Sequence, residues 1–254
     1  MSRHNFCLDS YQVEVERKNM TKIPEILELL KAGAHFGHQS SRWHPKMKPY
    51  IFGTRNEVHI IDLEKTSQKL AEVQEFIKKV VSTGGTILFL GTKRQVQSIL
   101  EREATRCGMP YINGHWIGGF LTNFPTVIKL AKKYKDLVKK RDSGELNKYT
   151  KKEQLDFEKE IAKLKAMVFG VKDVEKLPEV IFIWDIKNEK TAFKEAKVKR
   201  VPIIGICDTN TNPEDIDYII PVNDDATKTI NLIMTYIADC VIEAKSKLPE
   251  VEKK

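Results

Sequence analysis

The chain has 254 residues, of which 41% are hydrophobic, and this suffices for one large domain or for a domain with an appendage. Its formal charge of +8 favours an acidic partner, and no stretch approaches the roughly 18 consecutive apolar residues of a membrane span, so no membrane association is predicted. Cys7, Cys107, Cys207 and Cys240 are far apart and form no CxxC pair, which argues against a zinc knuckle and a disulfide framework. We therefore expect reduced thiols in a cytosolic protein.

Residues 1–20 mix acidic and basic side chains and show neither an apolar signal core nor the acid-poor bias of a transit peptide. We expect this stretch to be a disordered extension. Ile26, Leu29 and Leu30 follow at helical spacing and predict a short amphipathic helix that ends at Gly33.

Residues 35–55, here called the arm, are rich in cations and contain no acidic residue. The cations are Arg42, Lys46, Lys48 and Arg55, and between them stand Trp43, His44, Tyr50 and Phe52. Cations gain affinity by releasing counterions from phosphates and aromatic rings stack on unpaired bases, so this composition is typical of a nucleic-acid-binding surface. Because Pro45 and Pro49 restrict the backbone, we expect no helix in the arm. A basic hairpin with a few core aromatics is the alternative.

His35 and His38 of the arm have HxxH spacing, which could ligate a metal on a helix, with His44 as a third ligand. Phe36-Gly37 and the nearby prolines favour a loop instead, and no carboxylate lies close in the sequence. We therefore predict no metal here and assign His38 to RNA contact or packing.

Strands and helices alternate after the arm. The pattern predicts strands at Tyr50–Thr54, Glu57–Ile61, Thr86–Leu90, Tyr111–Ile112, Val180–Trp184, Ile203–Ile206 and Tyr218–Ile220. It predicts helices through Leu70–Val80, after Gly91–Arg94, over Glu189–Lys199 and over Asp225–Lys247. This alternation indicates an α/β fold with a doubly wound, mainly parallel sheet covered on both faces.

One segment interrupts the alternation with two helical stripes. They consist of Val127, Ala131, Tyr134 and Val138, and of Phe157, Ile161, Leu164 and Val168, and Thr150 and Glu153 between them stand in capping-box register. These stripes predict an antiparallel coiled-coil hairpin. Residues 125–165 contain 13 lysines and arginines against 7 acidic residues, so much of the excess charge lies here. Lys129, Lys132 and Lys133 are its candidate RNA contacts.

The expected domain organisation follows from these elements. It has a disordered extension over residues 1–20, a sheet domain formed by residues 21–124 and 169–247, the inserted hairpin over residues 125–168, and a short tail over residues 248–254.

The turn after strand Thr86–Leu90 reads Gly91-Thr92-Lys93-Arg94 and offers a helix N-terminus and two cations to a phosphate. It lacks the GxxxxGK[ST] sequence of a P-loop, and no GxGxxG follows any predicted strand. We therefore predict no nucleotide cofactor and assign Lys93 and Arg94 to RNA phosphate, with a solvated helix start as the alternative for Arg94. No catalytic nucleophile signature is present either, so no small-molecule substrate is expected.

Residues 116–125, WIGGFLTNFP, combine Trp116 as a flat aromatic, two glycines that permit close backbone approach, and Thr122 and Asn123 as hydrogen-bonding groups. The local structural interpretation is a helix cap at Asn123 followed by Pro125 in the first turn.

Long motifs in the chain resemble a known family. AGAHFGHQSSRWHPKMKPYIFGTRNEVHIIDLEKT (residues 32–66), GTKRQ, HWIGGFLTNFPTV and DTNTNPEDIDYIIPVNDDA are similar to the signatures of the small-subunit ribosomal protein S-two family, of bacterial or organelle type. The resemblance extends over about residues 23–245. The family usually has arginine directly before the tryptophan, where this chain has His115, so one charge-assisted contact is questionable here.

The resemblance implies a flavodoxin-like or Rossmann-like sheet with an inserted coiled-coil hairpin. It also implies a non-enzymatic protein without a cofactor that binds ribosomal RNA in the small subunit, on a cytoplasmic or organelle ribosome. Neighbouring ribosomal proteins, including S-one, are the implied protein partners, and the loop at Trp116, Thr122 and Asn123 is implied to face RNA.

Two other functions stay open from the sequence. Asp185 and Asp208 follow apolar strands, so a metal-dependent enzyme could use them at the carboxyl edge of the sheet, although backbone amides are the favoured partners of these carboxylates. A coiled-coil adaptor would instead use the hairpin to bind protein without RNA.

Overall fold

The computed structural model describes residues 21–247, and the expectations for residues 1–20 and 248–254 lie outside this range. Within the range, no helix is both long and apolar enough to cross a lipid bilayer.

A short helix and a small antiparallel sheet form the N-terminal part. Helix α1 (Ile26–Ala32) ends as predicted at Gly33, whose φ of +82° is the left-handed conformation that favours glycine. Three strands follow, β1 (Phe36–Gln39), β2 (Ile51–Arg55) and β3 (Val58–Ile61), in the spatial order β1-β3-β2. Asn56 and Glu57, with φ of 49° and 62°, form the turn one residue later than predicted, because two left-handed residues match the twist of a tight hairpin.

The arm contains helical structure, contrary to the prediction from its prolines. Two 3₁₀ helices, Ser40–Arg42 and Pro45–Tyr50, connect β1 to β2. The expectation drawn from Pro45 and Pro49 is therefore wrong for 3₁₀ structure. Pro45 stands at the first helical position, where its missing amide is not needed, whereas Pro49 lies inside this short helix. His38 lies on β1 and His35 lies in the turn directly before this strand, so the HxxH pair is not helical.

A five-stranded parallel sheet forms the centre of the protein. Its strands are β4 (Ile87–Leu90), β5 (Tyr111–Ile112), β6 (Val180–Ile183), β7 (Ile203–Cys207) and β8 (Tyr218–Pro221), in the order β5-β4-β6-β7-β8. The strand order reverses between β4 and β6, as in flavodoxin-like sheets, where the carboxyl ends of the strands border the crevice used for binding. The predicted α/β class is confirmed.

Helices cover both faces of this sheet. They are α2 (Leu63–Ser82), α3 (Arg94–Cys107), α4 (Phe124–Asp142), α5 (Lys151–Val168), α6 (Lys190–Lys199) and α7 (Thr227–Ser246). Phe89, Phe182 and Ile204 point from successive strands into one core with α2, α3 and α7. Leu88 and Ile181 point into a second core with α4, α5 and α6. Because both faces are covered, the strands are hydrophobic without interruption.

Helices α4 and α5 pack against each other as a hairpin closed by the 3₁₀ helix Glu145–Lys148. The predicted capping box of Thr150 and Glu153 is present. Leu137, and not Val138, is the buried residue after Tyr134, because a step of three keeps it on the inner stripe of the helix. At the base of the hairpin, Val168 joins the second core of the sheet.

We propose that the outer part of the hairpin is separable from the sheet domain, and we expect excision of residues 131–163 with a short flexible linker to leave a cooperatively folded protein. The bases of both helices, which reach the second core, remain in this variant, and α4 and α5 otherwise pack mainly against each other. Urea unfolding followed by circular dichroism measures the result. A broad transition, or one without a native baseline, would show that the outer hairpin completes the core.

Candidate nucleic-acid interface

The arm presents its cations on the surface. Arg42, Lys46, Lys48 and Arg55 are all exposed. Lys46 forms an ion pair with Glu214, whereas the other three have no ion-pair partner among residues 21–247. Three predicted cations are therefore available to a polyanion.

The aromatic residues of the arm divide into buried and exposed ones. Trp43 is half-buried, with its ring centroid 4.9 Å from that of His59, so it packs against β3 and offers little surface for a base. Phe52, by contrast, is 81% exposed, although it was not among the predicted site residues. The alternation of a half-buried strand, with Ile51 inward and Phe52 outward, is the signal that could have identified it.

The arm is fixed to the carboxyl end of β7. The backbone N–H of His38 donates to Thr209 Oγ1 at 2.8 Å, and that of His44 donates to the Thr209 carbonyl oxygen at 2.8 Å. Gly37 permits this approach, since a Cβ atom there would lie 2.5 Å from Thr209 Cγ2. Met47 is fully buried in the second core. The surface cations therefore stand on a rigid segment.

Lys93 lies in an ion network and not on an open surface. Its Nζ atom is 3.1 Å from Asp224 Oδ1, 2.5 Å from Asp225 Oδ1 and 3.7 Å from Asp185 Oδ2. Burial lowers the pKa of Lys93, but Asp225, Asp224 and Asp185 outweigh it and raise the pKa to about 12. The assignment of Lys93 to RNA phosphate is thus corrected, because its charge is already neutralised by acids that lie about 90 to 130 residues away in the sequence.

Asp208 is held mainly by hydrogen-bond donors of the chain. It accepts from the backbone N–H and the hydroxyl of Thr209, and from the backbone N–H of Asp224 at 3.3 Å. Asp185, in the left-handed region at φ of +67°, accepts from the N–H and side-chain amide of Asn188. Amide donors of the chain were the partners favoured over a metal ion for both carboxylates from the sequence.

Three residues of this edge could hold a divalent cation. His38, Asp208 and Asp224 each offer a ligand atom, and these atoms lie within 4.8 Å of one another. The sequence-based pair is thereby corrected, because Asp224 and not Asp185 shares the group with Asp208. The ammonium of Lys93 on Asp224 already supplies positive charge there.

Burial makes this edge sensitive to pH. Asp224 is 2% exposed, and burial together with Asp208 and Asp185 raises its pKa to about 7 despite the attraction of Lys93. His38 Nδ1 lies 3.1 Å from Asp208 Oδ1, and that carboxylate raises the pKa of His38 above its ordinary value.

The loop at residues 115–123 is folded around a buried carboxylate of α6. Glu195 accepts from the indole N–H of Trp116 at 3.0 Å, the hydroxyl of Thr122 at 3.3 Å, and three backbone amides. Trp116 is only 5% exposed, so the RNA contact that the resemblance implies for it is corrected to an internal role. Asn123 stands at the N-cap position as predicted, but its side-chain oxygen accepts from the Thr126 hydroxyl and not from a backbone amide.

The remaining predicted contacts lie on helices and are exposed. They are Arg94, Lys129, Lys132 and Lys133. Lys133 pairs with Glu160 across the hairpin, whereas the other three have no ion-pair partner within the described range. The exposed cations that remain as candidate RNA contacts therefore lie in the arm, at the start of α3 and on α4.

Comparisons with known proteins agree with the motifs. Residues 29–244 match the family model described as Ribosomal protein S2. Small ribosomal subunit protein uS2 of Dehalococcoides mccartyi is 50% identical over 229 residues, which cover 89% of this chain and 94% of that protein. Small ribosomal subunit protein uS2 of Coprothermobacter proteolyticus is 47% identical over 218 residues, covering 86% and 81% of the two chains.

We expect the protein to lose stability as the pH rises from 5 to 8. In this range the folded state keeps a proton on Asp224, pKa about 7, which an unfolded chain with an ordinary carboxyl pKa has already released. The raised pKa of His38 acts in the same direction. At about 1.4 kcal/mol for each tenfold difference in proton affinity, the loss from Asp224 is about 2 to 3 kcal/mol.

Denaturant unfolding at pH 5 and pH 8, with a chelator present, measures this loss. Asp224→Asn should flatten the pH dependence, and Asp239→Asn on α7, outside the network, is the control. Unchanged pH dependence in Asp224→Asn would contradict the expectation.

Proposed function

Because the chain belongs to the ribosomal protein S2 family, whose members are structural and non-enzymatic parts of the small ribosomal subunit, we propose that it docks on small-subunit ribosomal RNA through its arm and its helical hairpin. The alternative of a metal-dependent enzyme has no support. Asp185 and Asp208 are engaged by donors of the chain itself, and the family is structural.

One observation carries this proposal. Arg42, Lys48 and Arg55 are exposed and lack ion-pair partners among the described residues, and the exposed ring of Phe52 stands among them on a segment anchored by Met47. A rigid array loses little conformational entropy on binding, and each cation that meets a phosphate releases counterions. Phe52 can stack on an unpaired base, which adds about 1 to 3 kcal/mol in single-strand complexes.

The hairpin and the start of α3 extend this basic surface. Lys129 and Lys132 on α4 and Arg94 on α3 are exposed. Helix α4 also has Lys139, Lys140 and Arg141 in its last turn, where cations interact favourably with the helix dipole. These charges can contact a second stretch of RNA backbone without any sequence-specific readout.

We also propose that the protein helps to seat ribosomal protein S-one in organisms that have it, and that it acts on cytoplasmic ribosomes. The similarity of the sequence motifs supports the first statement, and the two bacterial relatives support the second. If the hairpin were instead a coiled-coil adaptor that binds only protein, its cations would be dispensable for subunit binding.

Replacing Arg42, Lys46 and Lys48 by alanine should weaken binding to small subunits depleted of this protein. The logarithmic salt dependence of binding should fall by about 0.9 for each duplex phosphate that is no longer neutralised, or by about 0.7 for each phosphate of a single strand. The melting temperature should hardly change, because these side chains are exposed. Sedimentation with subunits at several salt concentrations measures the slope.

The matched control removes the same charge elsewhere. Lys79, Lys176 and Lys199 are exposed and without ion pairs in the described part of the chain, and they lie toward the amino ends of the strands, opposite the arm. Their replacement by alanine should leave the salt slope nearly unchanged. If the salt dependence of binding decreases equally in the two triple variants, the arm is not part of the interface.

A further inference from the structure

We propose that Glu195 is a positioning residue that holds residues 116–122 in the conformation whose outer surface contacts RNA. This inference rests on the proposed function, since it explains what holds the conformation of a loop that is predicted to contact RNA. Sequence patterns assign no role to Glu195, because it lies about 75 residues from the loop on helix α6.

The carboxylate of Glu195 is the centre of the loop. Oε1 accepts from the Trp116 indole at 3.0 Å and from the Gly119 amide at 2.8 Å. Oε2 accepts from the Leu121 amide at 3.0 Å, and from the amide and hydroxyl of Thr122, both at 3.3 Å. Glu195 is only 8% exposed, so water offers these donors little alternative.

An ionised glutamate suits this position better than any neutral side chain. Each of its oxygens accepts at least two hydrogen bonds, and bonds to a charged acceptor are stronger than neutral ones. Burial raises the pKa of Glu195, but the hydrogen bonds from Trp116, Gly119, Leu121 and Thr122 outweigh it and hold the pKa below its ordinary value. The carboxylate is therefore charged throughout the physiological range.

This arrangement changes which loop groups can meet RNA. Backbone amides that converge on one point resemble a phosphate-binding nest, but here the protein's own carboxylate fills it. The Trp116 indole and the Thr122 hydroxyl are engaged by Glu195. His115, Gly118, Thr122 and Asn123 are the exposed residues of the loop, and of these Thr122 has its hydroxyl already bonded.

Gly118 shows how open the outer surface is. A Cβ atom at Gly118 would meet nothing within 4 Å, and the residue is exposed. A backbone without side chain at this point lets a phosphodiester chain approach closely. The next residue, Gly119, has φ of +86°, a conformation that glycine adopts readily, and it directs its amide to Glu195. Asn123 offers an exposed amide group to the same RNA partner.

Glu195→Gln is the test of positioning. Glutamine has the same shape, but its amide nitrogen turns a donor toward the amides or the indole, so part of the donor set loses its acceptor. The amides of Gly119, Leu121 and Thr122 and the Trp116 indole N–H should exchange with solvent at least about tenfold faster in NMR experiments. Affinity for depleted small subunits should fall about tenfold, which corresponds to about 1.4 kcal/mol.

Glu103→Gln is the matched control. Glu103 is 3% exposed on α3 and accepts from Arg102 and Arg106, away from the loop. This variant should lose stability without changing exchange in residues 116–122 or affinity for the subunit. If Glu103→Gln weakens subunit binding as much as Glu195→Gln does, the effect is a general loss of stability and the proposal is overturned.

Gly118→Leu tests the loop surface without touching Glu195 and keeps the proposal testable if Glu195→Gln fails to fold. The added side chain points into open space, so folding should be unaffected and subunit affinity should fall about tenfold. If Gly118→Leu binds subunits with unchanged affinity, the outer surface of the loop does not contact RNA and the proposal is overturned. Unchanged affinity in a Glu195→Gln variant whose loop amides exchange faster would overturn it as well. If the arm variant still loses affinity and salt slope in that case, the proposed function stands.

Discussion

The carboxyl edge of the parallel sheet buries more negative charge than its apolar surroundings tolerate, and most of the site depends on how that charge is balanced. Asp208 and Asp224 are almost inaccessible to water. Lys93 supplies an opposing charge, and the imidazole of His38, which comes from the arm, lies against Asp208, whose carboxylate raises the pKa of His38. Removing one partner of such a network destabilises the folded state by more than the intact network stabilises it, because a buried charge is left without a partner. The arm is therefore attached to the sheet by the contact of His38 with Asp208 as well as by its hydrogen bonds to Thr209.

Buried acids at this end of the molecule also shape the loops that sequence motifs marked as functional. Glu189, just before α6, accepts from the amide and hydroxyl of Thr92 in the turn after β4. Glu195 on the same helix organises the loop at residues 116–122. A basic protein thus keeps selected acids inside, where hydrogen-bond donors stabilise their charge, and exposes the cations of the arm and of α4. Under the proposed function, RNA meets a surface from which these negative charges are shielded.

The fold class and the exposure of the arm's cations could be predicted from the sequence because both follow from local patterns. Alternating apolar runs and amphipathic stretches specify a parallel sheet with helices on both faces, and an acid-free segment is visible in composition. The roles of Lys93 and Trp116 were misjudged because their acidic partners are distant in sequence, so their burial is a tertiary property. Phe52 was noted in the arm but not selected as a contact, because the outward face of this short strand depends on its register.

Ultraviolet cross-linking of native small subunits, followed by mass spectrometry of RNA-linked peptides, tests most directly whether the arm contacts ribosomal RNA. We predict cross-links in the peptide that spans residues 42–55, with Phe52 as the preferred position because its exposed ring is the one placed to stack on a base. RNA cross-links found only outside the arm and the hairpin, in subunits that contain the protein, would contradict this prediction.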